Sequence, residues 1–318
     1  MRQRGDFESD FGAKMSEAAK IFRDIYVTAG DGLRLYARHY PARASSSLRP
    51  VLCLAGLTRN SRDFDRVASA LSQHPQTPRD VFTLDIRGRG LSESDKDWKN
   101  YAVPVEMQDV IDFMTAQELH NAGIIGTSRG GLITLVLAAA QPGRIGAVVL
   151  NDIGPVIETD GLIRIAGYVG RYPVPKSWAD AARGVKDLTR RDFPNLTDEQ
   201  AEAFARQLFN EKNARPAPGY DPQLSKCLSV MDGPMPQLWP QFEALKRVPV
   251  LVIRGENSDL LSEKTVEEMR RRHPMLASVT AAGEGHAPLL WDAPTIKSIV
   301  QFFAETDSVG HGLAVKAA

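Results

Sequence analysis

Gly126-Thr127-Ser128-Arg129-Gly130 stands between a short apolar run, Ala122-Gly123-Ile124-Ile125, and a strongly apolar segment, Gly131-Leu132-Ile133-Thr134-Leu135-Val136-Leu137-Ala138-Ala139-Ala140. The first run has the length of a strand and the second that of a helix, so the pattern predicts strand, sharp turn, helix. In that setting a Gly-x-Ser-x-Gly sequence has a mechanical meaning. The glycines let the backbone turn tightly enough to lift a serine hydroxyl above a sheet, at the start of a helix. Ser128 is therefore a candidate nucleophile, and the rest of the chain can be searched for its partners.

Working outward, the same alternation recurs. Ile25-Tyr26-Val27-Thr28, a turn at Gly30-Asp31-Gly32 and an alternating stretch over 33–40 predict a hairpin. Pro50-Val51-Leu52-Cys53-Leu54-Ala55 is continuously apolar, as a strand buried on both faces requires. It ends in Gly56-Leu57-Thr58-Arg59-Asn60-Ser61, where Ser61 is placed to cap an amphipathic helix over 63–71. Val81-Phe82-Thr83-Leu84, a helix over 105–119 and a strand over 145–150 continue the series. Strands alternating with helices predict an α/β fold with a mostly parallel sheet covered by helices on both faces.

The alternation stops near Pro155. Residues 156–242 are helical in pattern, with segments at 162–168, 178–188 and 198–209, a loop-like stretch over 214–222, and no convincing buried strand. Such a block is too long for a loop and predicts an insertion that packs as a helical unit. The α/β pattern resumes with Val250-Leu251-Val252-Ile253, a helix over 263–272, a strand over 277–281 and a last helix over 294–303. The expected organisation is a polar extension over 1–20, a core over 21–155 and 243–306, the insertion over 156–242 and a loose tail over 307–318.

Of the 318 residues, 43% are hydrophobic and 25% charged, the profile of an ordinary globular chain. Its 39 basic and 39 acidic residues cancel, which removes any electrostatic case for nucleic acid or an anionic membrane surface. Cys53 and Cys227 form no disulfide framework or zinc spacing, and Cys53 reads as a small core residue. The N-terminal residues are charged and lack an apolar signal core, and no apolar run reaches membrane-spanning length, so a cytoplasmic protein is expected.

A serine hydroxyl needs a base within hydrogen-bond reach, and the base needs a carboxylate to hold its tautomer. In open parallel sheets, sites form beyond the carboxyl ends of the strands. Of the six histidines, His39, His74, His120, His273 and His311 read as surface residues, whereas His286 follows a strand within Gly283-Glu284-Gly285-His286-Ala287-Pro288. Asp259, after the strand at 250–253, is the expected acid; Asp152, after the strand ending at Leu150, is its rival. Asp85 also follows a strand, but with Arg87 nearby it reads as a turn or ion-pair residue. An oxyanion needs two backbone N–H donors. The Arg129 amide at the helix start and the Leu57 amide after the strand at 51–55 are the candidates. Arg59 and Asn60, beside that loop, are candidate substrate ligands. So is the Arg129 side chain, which could equally pair with an acidic neighbour.

These pieces together resemble the α/β-hydrolase superfamily over residues 25–303. The elbow around Ser128, the run Asp85-Ile86-Arg87-Gly88-Arg89-Gly90-Leu91-Ser92, Asp259 and Gly285-His286 all match the family's motifs and occur in its order. The resemblance implies an eight-stranded, mostly parallel sheet and a helical cap formed by the insertion, with Tyr168 and Trp239 the cap aromatics put forward as substrate contacts among Tyr172, Trp178, Phe204, Phe209 and Tyr220. Within the superfamily the chain is most similar to bacterial esterases, enol-lactonases and C–C bond hydrolases. It departs where Ala55-Gly56 replaces a common His-Gly pair, at Arg129, and at the bulky Trp291. The implied activity is hydrolysis of a carboxylic ester or lactone through an acyl-enzyme on Ser128. The alternatives are C–C hydrolysis of vinylogous diketones, which a carboxylate-binding Arg129 would favour, and ligand binding without turnover. A small-molecule substrate is implied, with no metal and no cofactor.

Overall fold

The computed structural model describes residues 21–171, 173–229 and 236–314, the side chains of 229 and 308–314 excepted. The expected extension over 1–20, Tyr172 and the side chain of His311 lie outside them. An eight-stranded sheet forms the centre, in the spatial order β1-β2-β4-β3-β5-β6-β9-β10. Its strands are β1 (Arg23–Thr28), β2 (Arg34–Tyr40), β3 (Val51–Leu54), β4 (Val81–Asp85), β5 (Ala122–Thr127), β6 (Ile145–Asn151), β9 (Val250–Gly255) and β10 (Leu276–Ala281). The β1-β2 and β2-β4 pairings are antiparallel and the remaining pairs parallel.

The continuous apolar runs are strands that bury both faces. Leu52 and Leu54 of β3, Val148 and Leu150 of β6, and Val250 and Val252 of β9 enter one hydrophobic cluster. Their alternates Val51, Cys53, Ala147, Val149, Leu251 and Ile253 enter the cluster on the opposite face. Each such fully buried Val, Leu or Ile side chain contributes roughly 1.5–3 kcal/mol, so a polar residue in any of these runs would open a layer of core. The flanking helices are α1 (Asp65–Ser72), α2 (Val103–Ala116), α3 (Arg129–Ala140), α9 (Glu263–Arg272) and α10 (Ala293–Ala314). No helix among the described residues is long and apolar enough to cross a membrane.

Between β6 and β9 run α4 (Thr159–Tyr168), α5 (Trp178–Leu188), α6 (Asp198–Leu208), the strands β7 (Asn210–Lys212) and β8 (Arg215–Ala217), and the short helices α7 (Lys226–Ser229) and α8 (Trp239–Glu243). Ala181 and Val185 of α5 and Phe204 of α6 share a separate cluster with Leu289 and Trp291 from the loop after β10. The β7-β8 hairpin was not expected. Its strands are three residues long and only Pro216 is buried, so they carry no apolar alternation. Phe242 of α8 belongs to the main core, so the insertion returns to the sheet layers before residue 242. At the other end, α10 continues past the expected boundary at 303. Asp307, the first residue of the stretch expected to be a loose tail, is buried and paired with Arg79 at 2.8 Å, and residues 315–318 lie outside the described residues. Asn60, not Ser61, caps the turn before α1, accepting from the Arg62 amide.

Candidate active site

Strand register brings the candidate residues to one edge. Leu54 of β3 pairs with Gly126 of β5, and Thr127 of β5 with Asn151 of β6. Asn151 is level with Ile253 of β9, and Gly255 with Ala281 of β10. The loops after β3, β5, β6, β9 and β10 therefore leave the sheet together. Ser128 turns at φ 50°, ψ −113°, a conformation costly for a residue with a side chain. The residues two places to either side must be glycine. A Cβ on Gly130 would lie 2.1 Å from the Leu54 carbonyl oxygen, and one on Gly126 would lie 2.7 Å from Gly131 Cα.

The Ser128 hydroxyl lies 2.8 Å from His286 Nε2. The other ring nitrogen, Nδ1, lies 2.8 Å from Asp152 Oδ2. A carboxylate only accepts, so Nδ1 carries the proton and Nε2 is left as the acceptor for the serine O–H. Asp152 is fully buried, and its carboxylate also accepts from the Gly255 amide at 2.8 Å and the Ser258 hydroxyl at 2.7 Å. Asn151 donates to Thr127 Oγ1 and to the Pro288 carbonyl, tying the His286 loop to β5.

The acid at His286 is therefore Asp152 and not Asp259. Asp152 follows β6 directly, at φ 56°, and stays at the sheet edge. Asp259 lies four residues beyond β9, where Arg164 of α4 binds both its oxygens at 2.7 and 2.9 Å and Arg191 approaches at 3.2 Å. Hydrogen bonds from Arg164 hold the Asp259 carboxyl below its ordinary value. Arg164 also pairs with Asp192 at 3.0 Å.

Neither the Leu57 nor the Arg129 amide has an acceptor among the described residues. Two donors near Ser128, one of them at a helix N-terminus, suit a developing oxyanion. Arg89, which the motif around Asp85 contains without revealing its task, fixes both. Its Nε donates to the Leu57 carbonyl at 2.8 Å, and its Nη1 meets Glu106 Oε1 at 2.6 Å. Glu106 in turn holds Arg129 Nε at 2.6 Å. Burial alone would raise the Glu106 carboxyl, but the two guanidinium groups outweigh it and hold it below the usual range. Arg129 also donates to the Tyr101 carbonyl at 2.9 Å. Of its two expected uses, the acidic neighbour has its side chain. Asp85 accepts from the Ser61 and Leu91 amides, a turn role as read.

A cleft of about 620 Å³ opens on Ser128 and His286, with Arg59, Thr58, Asp63, Ile165 and Tyr168 in its walls. Arg59 is held by Asp63 at 2.7 Å, with its guanidinium over the Phe204 ring. Asn60 is fully buried and spends its side chain on the Gln207 carbonyl of α6 and the Arg62 amide, so it is a strut and not a cleft residue. Trp239 packs edge-on against Phe242 beneath Arg272 and is not among the residues lining the cleft. His273, expected at the surface, is buried and bonded to the Leu245 carbonyl. Among the described residues no group of three or more His, Cys, Asp or Glu side chains is arranged to hold a metal ion.

A sheet of this order with a serine elbow after β5 and a histidine after the last strand defines the α/β-hydrolase fold. Residues 49–293 match the model of that family, described as the alpha/beta hydrolase fold, and the chain belongs to it. It is 34% identical over 263 residues to a 3-hydroxybutyrate-oligomer hydrolase from Cupriavidus necator, covering 80% of this chain and 88% of the relative. Esterase YbfF of Escherichia coli is 27% identical, with coverage of 80% and 92%. An alpha/beta hydrolase from Novosphingobium aromaticivorans superposes with a TM-score of 0.82 at 38% identity, covering 89% of this chain and 98% of that one.

Proposed function

We propose that the protein hydrolyses carboxylic esters or lactones through an acyl-enzyme on Ser128. The observation that carries this reading is the unbroken hydrogen-bonded series Ser128, His286, Asp152, set beside two amides without acceptors among the described residues. His286 takes the Ser128 proton as Oγ attacks the carbonyl carbon. The Leu57 and Arg129 amides hold the oxyanion, and His286 passes the proton to the departing alcohol. Water, deprotonated by the same ring, then releases the acid. Asp152 keeps the ring in the required tautomer and stabilises the imidazolium. This chemistry draws nucleophile, base and charge stabilisation from the chain itself. The similarity to the 3-hydroxybutyrate-oligomer hydrolase from Cupriavidus necator and to the Escherichia coli esterase supports the bond type. The insertion acts as a cap, since Ile165 and Tyr168 of α4 roof the cleft.

The C–C reading drew its support from a free Arg129 side chain, which Glu106 occupies. Substituting Ser128→Ala is expected to lower kcat on p-nitrophenyl butyrate by about 10⁴-fold or more and to abolish fluorophosphonate labelling. Turnover retained by this variant would overturn the assignment, and a wild-type protein that takes no label would point to ligand binding without turnover.

A further inference from the structure

Ser128 stands where two cavities meet. One is the cleft that contains His286; the other, of about 550 Å³, is lined by Leu132, Ile153, Ile157, Leu162, Leu228 and Leu260. Leu57, Ser128 and Ile165 border both, whereas His286 borders only the cleft and Arg129 only the second chamber. Building on the serine-hydrolase reading, we propose that this chamber is the acyl subsite, and that the substrates are esters of short to medium apolar acids with a polar alcohol.

The assignment follows from where each atom must go. The new bond joins Ser128 Oγ to the carbonyl carbon, and the bond that breaks joins that carbon to the alcohol oxygen. The Ser128 proton travels through His286 Nε2 to that oxygen, so the alcohol lies on the His286 side. The carbonyl oxygen faces the Leu57 and Arg129 amides. The remaining substituent, the acyl chain, is directed to the other side of Ser128. There it meets the chamber bordered by both amide residues.

The walls decide what the chamber accepts. Besides Ser128, its polar side chains are Arg129, whose Nε is held by Glu106 and Nη2 by the Tyr101 carbonyl, and Cys227, whose thiol donates to the same carbonyl at 3.1 Å. A charged acyl group would lose its hydration there and would have to displace Glu106 from Arg129 to find a partner. The cleft brings Thr58 and the Arg59–Asp63 pair to the alcohol, and Arg59 Nε has no hydrogen-bond partner among the described residues, so polarity is better tolerated on that side.

The test holds p-nitrophenol constant and varies the acyl group from acetyl to octanoyl, with the succinyl monoester as charged comparison. Wild type is expected to gain about fourfold in kcat/KM per added methylene until the chamber fills, and to disfavour succinyl by at least an order of magnitude. In Leu228→Trp and, as a second variant, Ile157→Phe, the octanoyl-to-acetyl ratio is expected to fall about tenfold or more. A flat or succinyl-preferring wild-type profile, or variants that lower every ester equally, would overturn the subsite while Ser128 still takes the fluorophosphonate label. Loss of that label in wild type would instead sink the hydrolase reading beneath it.

Discussion

Asp152 and Asp259 sit on loops that leave neighbouring strands at the same edge of the sheet. Only one holds His286. Asp152 adjoins β6 directly and accepts from Nδ1 of His286 within a buried set of donors. Asp259 answers Arg164 of α4 in the insertion. Asp152→Asn is therefore expected to lower kcat on p-nitrophenyl butyrate by about 10³–10⁴-fold, because an amide would donate to Nδ1 and impose the wrong tautomer. Asp259→Asn is expected to stay within about tenfold. Steady-state kinetics on the two variants decide it, and the reverse order of damage would restore Asp259 as the orienting acid. Ser128 and His286 were legible because each stands in a short local pattern of small residues at a strand end. The choice between two strand-end aspartates was not, since it depends on Arg164 and Arg191, brought in by long-range packing. Glu106 and Arg89 were hidden for the same reason: nothing local marks a helix glutamate as the partner of two arginines.

At the scale of the element, α4 joins the insertion to the site. Leu162 and Ile165 line the acyl chamber, Ile165 and Tyr168 line the cleft, and Arg164 between them grips Asp259 and Asp192. The grip sets where the roof stands over Ser128. Arg164→Met keeps the apolar stem and removes the charge. It is expected to cost about 1–2 kcal/mol, less than a fully buried pair because the guanidinium is partly exposed, and so to lower Tm by roughly 2–6 °C. KM should rise several-fold on hexanoyl esters while Ser128 labelling persists; unchanged KM and Tm would show that α4 is held by packing alone. Elements with strong periodicity were readable from sequence: the buried strands, α5, α6 and α9 fall within a residue or two of their expected spans. The β7-β8 hairpin was not, because short exposed strands bury too little to leave a pattern. The far end of α10 escaped notice because its anchor, Arg79, lies more than two hundred residues earlier.

Over the whole molecule the 39 basic and 39 acidic side chains balance, so pH dependence near neutrality comes from individual groups and not from general self-repulsion. Glu106 and Asp259 lie below their ordinary values, so their contribution is present above about pH 4–5 and is lost only in stronger acid. Glu284 behaves in the opposite sense. Burial pushes its carboxyl up to about 7, with the Leu289 amide opposing and Asp292 reinforcing. The folded state then binds a proton more tightly than the unfolded chain does. Its contribution is complete below the unfolded value near 4.5, declines as pH rises, and is gone above about 7. The group matters beyond its own loop, because Leu289 lines the cleft and also packs into the cluster formed by α5 and α6. Glu284→Gln keeps an acceptor for the Leu289 amide but cannot ionise. Relative to wild type, its urea midpoint is expected to be higher at pH 8 than at pH 5, the gap opening through the interval in which Glu284 loses its proton. A gap that stays constant across that range would show that Glu284 remains ionised throughout, with Arg66, which shares its cavity, as the compensating charge.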